Sequence, residues 1–97
     1  MADVRLSAVA VEDLDRLILT HSLSSDTRAR VSRSLRPLQQ FPRLGRELQG
    51  RWHPFRLTLG PWRWLLIIYV YEEEQDLVLV VAMQDARSSA AATAGSD

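Results

Sequence analysis

The 97-residue sequence contains no cysteine and no lysine. Without cysteine, the chain can form neither disulfide bonds nor thiolate metal sites, and a cysteine nucleophile is excluded. Long apolar runs are also missing, since the longest one, Trp64 to Tyr71, has eight residues and is too short to span a membrane as a helix. The acidic start Met-Ala-Asp-Val lacks the basic and apolar regions of a signal peptide. We therefore expect a cytoplasmic protein that does not bind membranes.

The signatures of common enzymes and cofactor sites are missing as well. The sequence has no Walker A loop, no Gly-x-Gly-x-x-Gly, no Gly-x-Ser-x-Gly and no His-Glu-x-x-His. Its two histidines, His21 and His53, lack the spacing of metal ligands, and we assign neither of them a role as ligand or general base. The acidic run Glu72 to Glu74 is interpreted as a solvated turn. The sequence therefore predicts no cofactor and no metal ion.

The charges that are present are unevenly distributed along the chain. All twelve basic residues are arginine, and nine of them lie between residues 27 and 64 against the single acid Glu47, so this block carries a net charge of +8. Arginine favours planar, bidentate recognition of phosphate, although a GC-rich genome would also deplete lysine. Codon bias does not explain the clustering. A cationic block of this kind suits a polyanion or an acidic partner peptide.

Hydrophobic spacing predicts a helical hairpin followed by a β-meander. Ser7 is placed as the N-cap of a helix over 8–21, and a second helix over 25–40 should be distorted at Pro37. Strands are predicted over 52–59, 62–72 and 76–84, with a further edge strand near Val4. One domain over 1–87 accounts for these elements. Residues 88–97 carry no large apolar side chain, and we expect them to be disordered.

The predicted hairpin has Gly60 and Pro61 as its turn, which determines which side chains share a face. Thr58 then lies opposite Arg63, and Arg56 lies opposite Leu65, so two arginines and a hydroxyl group gather on one face. Trp62 and Trp64 are either base-stacking platforms or core residues, and the core assignment is favoured for Trp64. The face opposite the helices is predicted to be an apolar partner surface formed by Leu65, Ile67, Val78, Val80 and Ala82.

Arg63 and Arg87 stand out against the apolar strands around them. Arg63 interrupts an apolar strand, and Arg87 lies just past the end of another strand that could adjoin it. Arginines beside a hydroxyl group can position a phosphodiester and stabilise the charge that develops on it. They can equally bind an acidic peptide, and the residues alone leave both roles open.

The sequence resembles the RelE/ParE superfamily of bacterial type II toxin–antitoxin toxins. The resemblance rests on the element order and on three stretches: Phe41-Pro42-Arg43-Leu44-Gly45-Arg46-x-Leu48-x-Gly50, Gly60-Pro61-Trp62-Arg63 leading into Ile67-Ile68-Tyr69, and Val80 to Ser89. It implies an α+β fold in which a two-helix hairpin packs on one face of a small antiparallel sheet. It also implies a toxin held inactive in a hetero-oligomer by an antitoxin protein from the same operon.

The resemblance further implies an activity and a set of residues. RelE-like members cut mRNA in the ribosomal A site with arginines on the sheet and at its C-terminal strand end, which Arg63 and Arg87 match. The candidate catalytic residues are Arg63, Arg87 and Arg56, the candidate RNA-binding residues are Arg43, Arg46, Arg51 and Thr58, and the candidate antitoxin-binding residues are Leu65, Ile67, Val78 and Val80.

Two alternatives remain beside the mRNA endonuclease that arrests translation. ParE-like members share the fold and inhibit DNA gyrase without catalysis, and a degenerate toxin would bind only its antitoxin. No tyrosine follows Arg87 in this sequence, whereas RelE-like members often carry one, and this difference favours the alternatives.

Overall fold

The computed structural model describes residues 1–88 and 91–93. Its five strands form one sheet in the order β1-β5-β4-β3-β2, in which β1 pairs parallel with β5 and all other neighbours are antiparallel. The strands are β1 (Asp3–Leu6), β2 (Arg46–Glu47), β3 (Arg56–Leu59), β4 (Leu65–Glu72) and β5 (Leu77–Asp85), and the helices are α1 (Ala8–His21), α2 (Thr27–Ser34) and α3 (Pro37–Gln40). The predicted α+β fold is confirmed. Within the described residues, no helix has both the length and the apolar character needed to cross a membrane.

The helices begin and end at residues that the sequence marks. The Ser7 Oγ accepts a hydrogen bond from the Ala10 N–H at 3.1 Å and so caps α1, which has the predicted bounds. The second predicted helix is divided, because α2 ends at Ser34 and Pro37 begins the short helix α3. A proline is tolerated in the first turn of a helix but not in its interior, since it lacks an N–H to donate. The predicted distortion at Pro37 is therefore confirmed.

The helices cover one face of the sheet and form the larger core with it. Ala10 and Leu14 of α1 and Val31 of α2 pack in this core, together with Tyr69 and Met83 of the sheet. The smaller cluster on the opposite face contains Leu48, Leu57, Leu66, Ile68 and Ala91.

The predicted partner surface is wrong for four of its five residues. Leu65, Ile67, Val78 and Val80 are fully buried in the core beneath the helices. Only Ala82 belongs to the opposite face, because the ladder shifts by one residue between Ile68 and Tyr69. β4 is apolar on both faces, so alternation cannot show which face the helices cover.

The predicted two-residue hairpin turn is also wrong. β4 begins at Leu65 rather than Trp62, and Leu59 pairs with Leu66 while Thr58 pairs with Ile67. The Gly60 N–H donates to the Leu65 carbonyl at 2.9 Å and closes a longer loop over residues 60–65. Gly-Pro does not fit the tight turns that two-residue hairpin loops favour. The longer loop lets both tryptophans pack on the core. Arg63 consequently lies in a loop and not on a strand.

The connection from Phe41 to Gly50 is fastened to the sheet by Tyr69. The Tyr69 hydroxyl donates to the Pro42 carbonyl and accepts from the Gly45 N–H, both at 2.8 Å. A Cβ at Gly45 would lie 2.7 Å from the Tyr69 ring, so only glycine permits this approach. Burial raises the pKa of the Tyr69 hydroxyl, which therefore stays protonated and able to donate.

The C-terminal segment lies only partly within the described residues. Disorder is predicted for residues 88–97, of which 89, 90 and 94–97 lie outside the described residues. Ala91 is buried against the smaller cluster, and the Ala92 N–H donates to Gln84 Oε1 at 2.7 Å. These contacts place residues 91–93 beside the end of β5.

Candidate functional site

Arg63 and Arg87 lie at the same end of the sheet. Arg63 is exposed in the loop before β4, and Arg87 is exposed just after β5. The strand register brings these segments together, because Leu65 pairs with Asp85 and the Ala86 N–H donates to the Trp64 carbonyl at 2.7 Å. The guanidinium of Arg87 lies 5.6 Å from the centre of the Trp64 ring. The predicted proximity of these two segments is thus found, although Arg63 is held by a loop.

Arg56 lies away from this end. It pairs with Tyr69, four residues along β4 from Leu65, which corresponds to roughly 13 Å at the rise of a strand. Its guanidinium donates to the carbonyls of Gly45 at 2.8 Å and Arg43 at 3.2 Å. These bonds fasten the Phe41–Gly50 connection and give Arg56 a supporting role in the fold, while its catalytic role stays a prediction.

The four predicted RNA-binding residues lie on or beside β2 and β3. Arg43 pairs with Glu73 at 3.1 Å and lies 4.9 Å from the centre of the Tyr71 ring. Arg46 and Arg51 are exposed on β2 and on the 3₁₀ turn over 50–52, and Thr58 is half-buried on β3. These residues follow the β2 side of the sheet, whereas Arg87 lies beyond the end of β5.

Two stacked tryptophans join the helices to the loop that carries Arg63. The ring centres of Trp62 and Trp64 lie 5.5 Å apart with an interplanar angle of 9°. Arg30 of α2 lies 4.8 Å from the centre of the Trp62 ring, and the His21 ring lies 4.5 Å from that of Trp64. Both tryptophans pack against the larger core, which confirms the core assignment of Trp64. Their ring contacts come from protein side chains, and this arrangement supports the loop around Arg63.

A carboxylate links the histidine of α1 to the arginine after β5. Asp85 Oδ1 accepts from the backbone N–H and the Nε–H of Arg87 at 2.9 and 3.0 Å, and Oδ2 accepts from Nη2 at 3.1 Å. His21 Nε2 lies 3.1 Å from the same Oδ2. Hydrogen bonds from the Arg87 side chain and then from its backbone N–H lower the pKa of Asp85 to about 2, so it is ionised at neutral pH. We call His21, Asp85, Arg87 and Trp64 the strand-end cluster.

The strand-end cluster borders an open cavity of about 380 Å³ between α1 and the end of β5. Asp13 of α1 fastens the two elements by accepting from the Met83 N–H at 3.0 Å. The cavity is lined by His21 and Asp85 and, among others, by Asp13, Arg16, Thr20 and Gln84. Imidazole, carboxylate and guanidinium groups together can move a proton and stabilise an anion. Residues 1–88 and 91–93 contain no group of three metal-binding side chains.

His21 is the residue that reasoning from the sequence missed. It ends α1, and Asp85 ends β5, far away in the chain, so no local motif connects them. The only available signal was its position as a basic residue in the last turn of a helix. The contact with Asp85 depends on how α1 packs along β5, which linear spacing does not encode.

The chain is similar to known proteins in structure rather than in sequence. No family model matches it, and no curated protein matches it. The isolated E. coli RelE toxin is 16% identical, over 93% of this chain and 89% of its own, with a TM-score of 0.67. The intact E. coli RelBE toxin–antitoxin complex matches at 15% identity, 91% and 100% coverage and a TM-score of 0.65. The chromosomal ParDE system of P. aeruginosa matches at 13% identity, 90% and 98% coverage and a TM-score of 0.65.

Proposed function

The chain has the RelE/ParE fold, and from this premise we propose that it is the toxin of a type II toxin–antitoxin module. We further propose that it is a ribosome-associated mRNA endonuclease whose activity arrests translation. An antitoxin protein is its expected partner, since RelE is found in complex with its antitoxin and with an antitoxin peptide. The four residues first assigned to antitoxin binding lie inside the core, so the partner must bind another surface.

The geometry of Arg87 is the observation that carries the nuclease proposal. Asp85 binds Nε and Nη2 of Arg87, and the Trp64 ring lies beside the guanidinium, so this side chain is oriented while it remains exposed. A guanidinium has five N–H donors, and the two bonds to Asp85 leave three for a phosphate. An oriented cation stabilises a developing phosphorane charge without reorganisation during the reaction. Arg63 adds a second exposed cation at the same end of the sheet.

The distribution of unpaired arginines supports a polyanionic substrate. Among the nine arginines between residues 27 and 64, three form ion pairs with acids: Arg28 with Asp15, Arg43 with Glu73 and Arg56 with Glu47. The other six have no acidic partner within the part of the chain that the structure describes. Such charge attracts RNA through the release of condensed counterions, a contribution that weakens with salt.

Cleavage of a defined mRNA on programmed ribosomes tests the proposal. The purified protein should cut the mRNA at discrete positions in the A-site codon, and primer extension locates the new 5′ ends. The Arg87→Ala protein should leave the mRNA intact at equal concentration. Growth arrest in cells whose mRNA stays uncut would contradict the endonuclease and leave the toxin proposal standing.

Inhibition of DNA gyrase is the second candidate function. It is favoured by the absence of a tyrosine between Arg87 and Asp97 and by the engagement of Arg56 with backbone carbonyls. The similarity to a ParDE system agrees with it. A supercoiling assay distinguishes it, since a gyrase inhibitor blocks supercoiling at stoichiometric concentration and leaves ribosome-bound mRNA uncut. A chain that does neither and causes no growth arrest is a degenerate toxin.

A further inference from the structure

We propose that His21 is the general base of the RNA cleavage and that Asp85 orients it. This inference rests on the proposed nuclease function. None of the arginines can serve as a base at neutral pH, because a guanidinium stays protonated. The strand-end cluster contains an imidazole, that of His21, which can accept the proton that the arginines cannot.

The contact with Asp85 distinguishes the two nitrogens of His21. Nε2 lies 3.1 Å from Asp85 Oδ2, and a carboxylate at this distance favours the proton of the neutral ring on Nε2. Nδ1 is then the free acceptor, and it has no hydrogen-bond partner among residues 1–88 and 91–93. Holding one imidazole nitrogen with a carboxylate while the other receives a proton is a recurring arrangement for a general base.

Position and electrostatics agree with this role. The His21 side chain keeps 22% of its surface exposed and borders the 380 Å³ cavity, so a ribose hydroxyl group can approach it. The Trp64 ring at 4.5 Å and the Asp85 carboxylate limit its rotation. The charged residues that line the cavity are Asp85 from the end of β5 and Asp13 and Arg16 from α1, and Arg87 pairs with Asp85 beside it. The Asp85 carboxylate stabilises the imidazolium that forms when the ring takes a proton.

The proposed cleavage is a transesterification in which water only carries a proton and is regenerated. Nδ1 of His21 takes the proton of a 2′-hydroxyl group, and the 2′ oxygen attacks the adjacent phosphorus while the bond from phosphorus to the 5′ oxygen breaks. Arg87 stabilises the negative charge on the phosphoryl oxygens. The departing 5′ oxygen takes a proton from water, and His21 returns its proton to the hydroxide that remains. The products are a 2′,3′-cyclic phosphate and a 5′-hydroxyl end.

Replacement of His21 by glutamine tests the role, with His53→Gln as the matched control. Glutamine can still donate to Asp85 but cannot accept a proton near neutral pH. We expect kcat for ribosome-dependent cleavage to fall about 10²- to 10⁴-fold, while KM stays within about twofold of the wild-type value. The fall of kcat at acid pH should disappear from the pH profile of the variant. The His53 side chain is exposed and has no partner among the described residues, so His53→Gln should keep the wild-type profile. Added imidazole should partly restore the His21→Ala protein.

A second measurement keeps the inference falsifiable if the His21 variants fail to fold. The chain has two histidines, so the His53→Gln protein retains His21 as its only imidazole. Diethyl pyrocarbonate should inactivate that protein, and hydroxylamine should restore it. A His21→Gln protein that cleaves within about threefold of the wild-type rate and keeps the acid limb would overturn the inference while leaving the nuclease proposal intact. A wild-type protein that does not cleave ribosome-bound mRNA would overturn both.

Discussion

Arg87 holds the Asp85 carboxylate through three hydrogen bonds, one from its backbone N–H and two from its guanidinium. Asp85 is the last residue of β5, and Arg87 lies two positions later in the turn that follows the strand. The ion pair determines where the guanidinium points and keeps Asp85 ionised. We therefore expect this one pair of residues to contribute to both stability and the proposed activity.

The stability of the fold should depend on pH through this pair. The pKa of Asp85 in the folded chain is about 2, below its ordinary value of 3.8, so the contribution is present above pH 3.8 and is lost as the pH falls towards 2. Asp85→Asn should lower the free energy of unfolding by about 1 kcal/mol at pH 7, and the difference from wild type should vanish near pH 2. Urea titrations of both proteins at several pH values measure this difference in the free energy of unfolding. Asp3→Asn, which breaks a more exposed pair with Arg5, should change stability by less.

Tyr69 and Tyr71 offer a matched test of the buried connection. Tyr69→Phe removes the bonds to Pro42 and Gly45 in a buried setting and should cost about 1 to 3 kcal/mol. Tyr71→Phe removes an exposed bond to Asp76 and should cost less than Tyr69→Phe does. Thermal unfolding of the two variants gives the comparison. Equal losses would show that the Phe41–Gly50 connection does not depend on Tyr69.

Arg56 should behave as a residue of the fold and not of the reaction. Arg56→Ala removes charged hydrogen bonds to two backbone carbonyls and should lower the free energy of unfolding by about 1.5 to 3 kcal/mol. Well below its melting temperature, the variant should cleave ribosome-bound mRNA at nearly the wild-type rate. A stable Arg56→Ala protein without activity would return Arg56 to the site.

Arginine-to-lysine changes should separate Arg87 from Arg63. Arg87 uses its planar fork to bind Asp85, so Arg87→Lys should lose most of the activity although the charge is kept. Arg63 is exposed in a loop and has no partner in the described residues, so Arg63→Lys should keep most of it. Arg33 in α2 and Arg36 directly before α3 are both exposed and provide a control. Alanine at either one should weaken RNA binding modestly and reduce its salt dependence, as the loss of one phosphate contact does.

The parts of this structure that the sequence predicts are those governed by local rules. The bounds of α1 follow from the Ser7 cap and the apolar spacing, and the division at Pro37 follows from the missing N–H. The face of β4 that the helices cover does not follow, because both faces are apolar. The hairpin register was wrong because it depended on the assumed turn at Gly60 and Pro61.

The positions of the candidate site residues were predicted in part. Arg63 and Arg87 come together because the β4–β5 pairing is antiparallel, which the meander already suggested. The contact between His21 and Asp85 joins a helix end to a strand end and depends on tertiary packing alone. In the sequence, nothing distinguishes Arg56 from the other arginines of the cationic block, because its contacts with the Arg43 and Gly45 carbonyls depend on tertiary packing.

The most direct test of the central claim is primer extension on mRNA from ribosomes incubated with wild-type protein or with Arg87→Ala protein. We expect new 5′ ends at discrete positions in the A-site codon with the wild-type protein and none with the variant, while both proteins remain folded at the assay temperature. Intact mRNA with the wild-type protein, or identical cleavage with the Arg87→Ala protein, would contradict it.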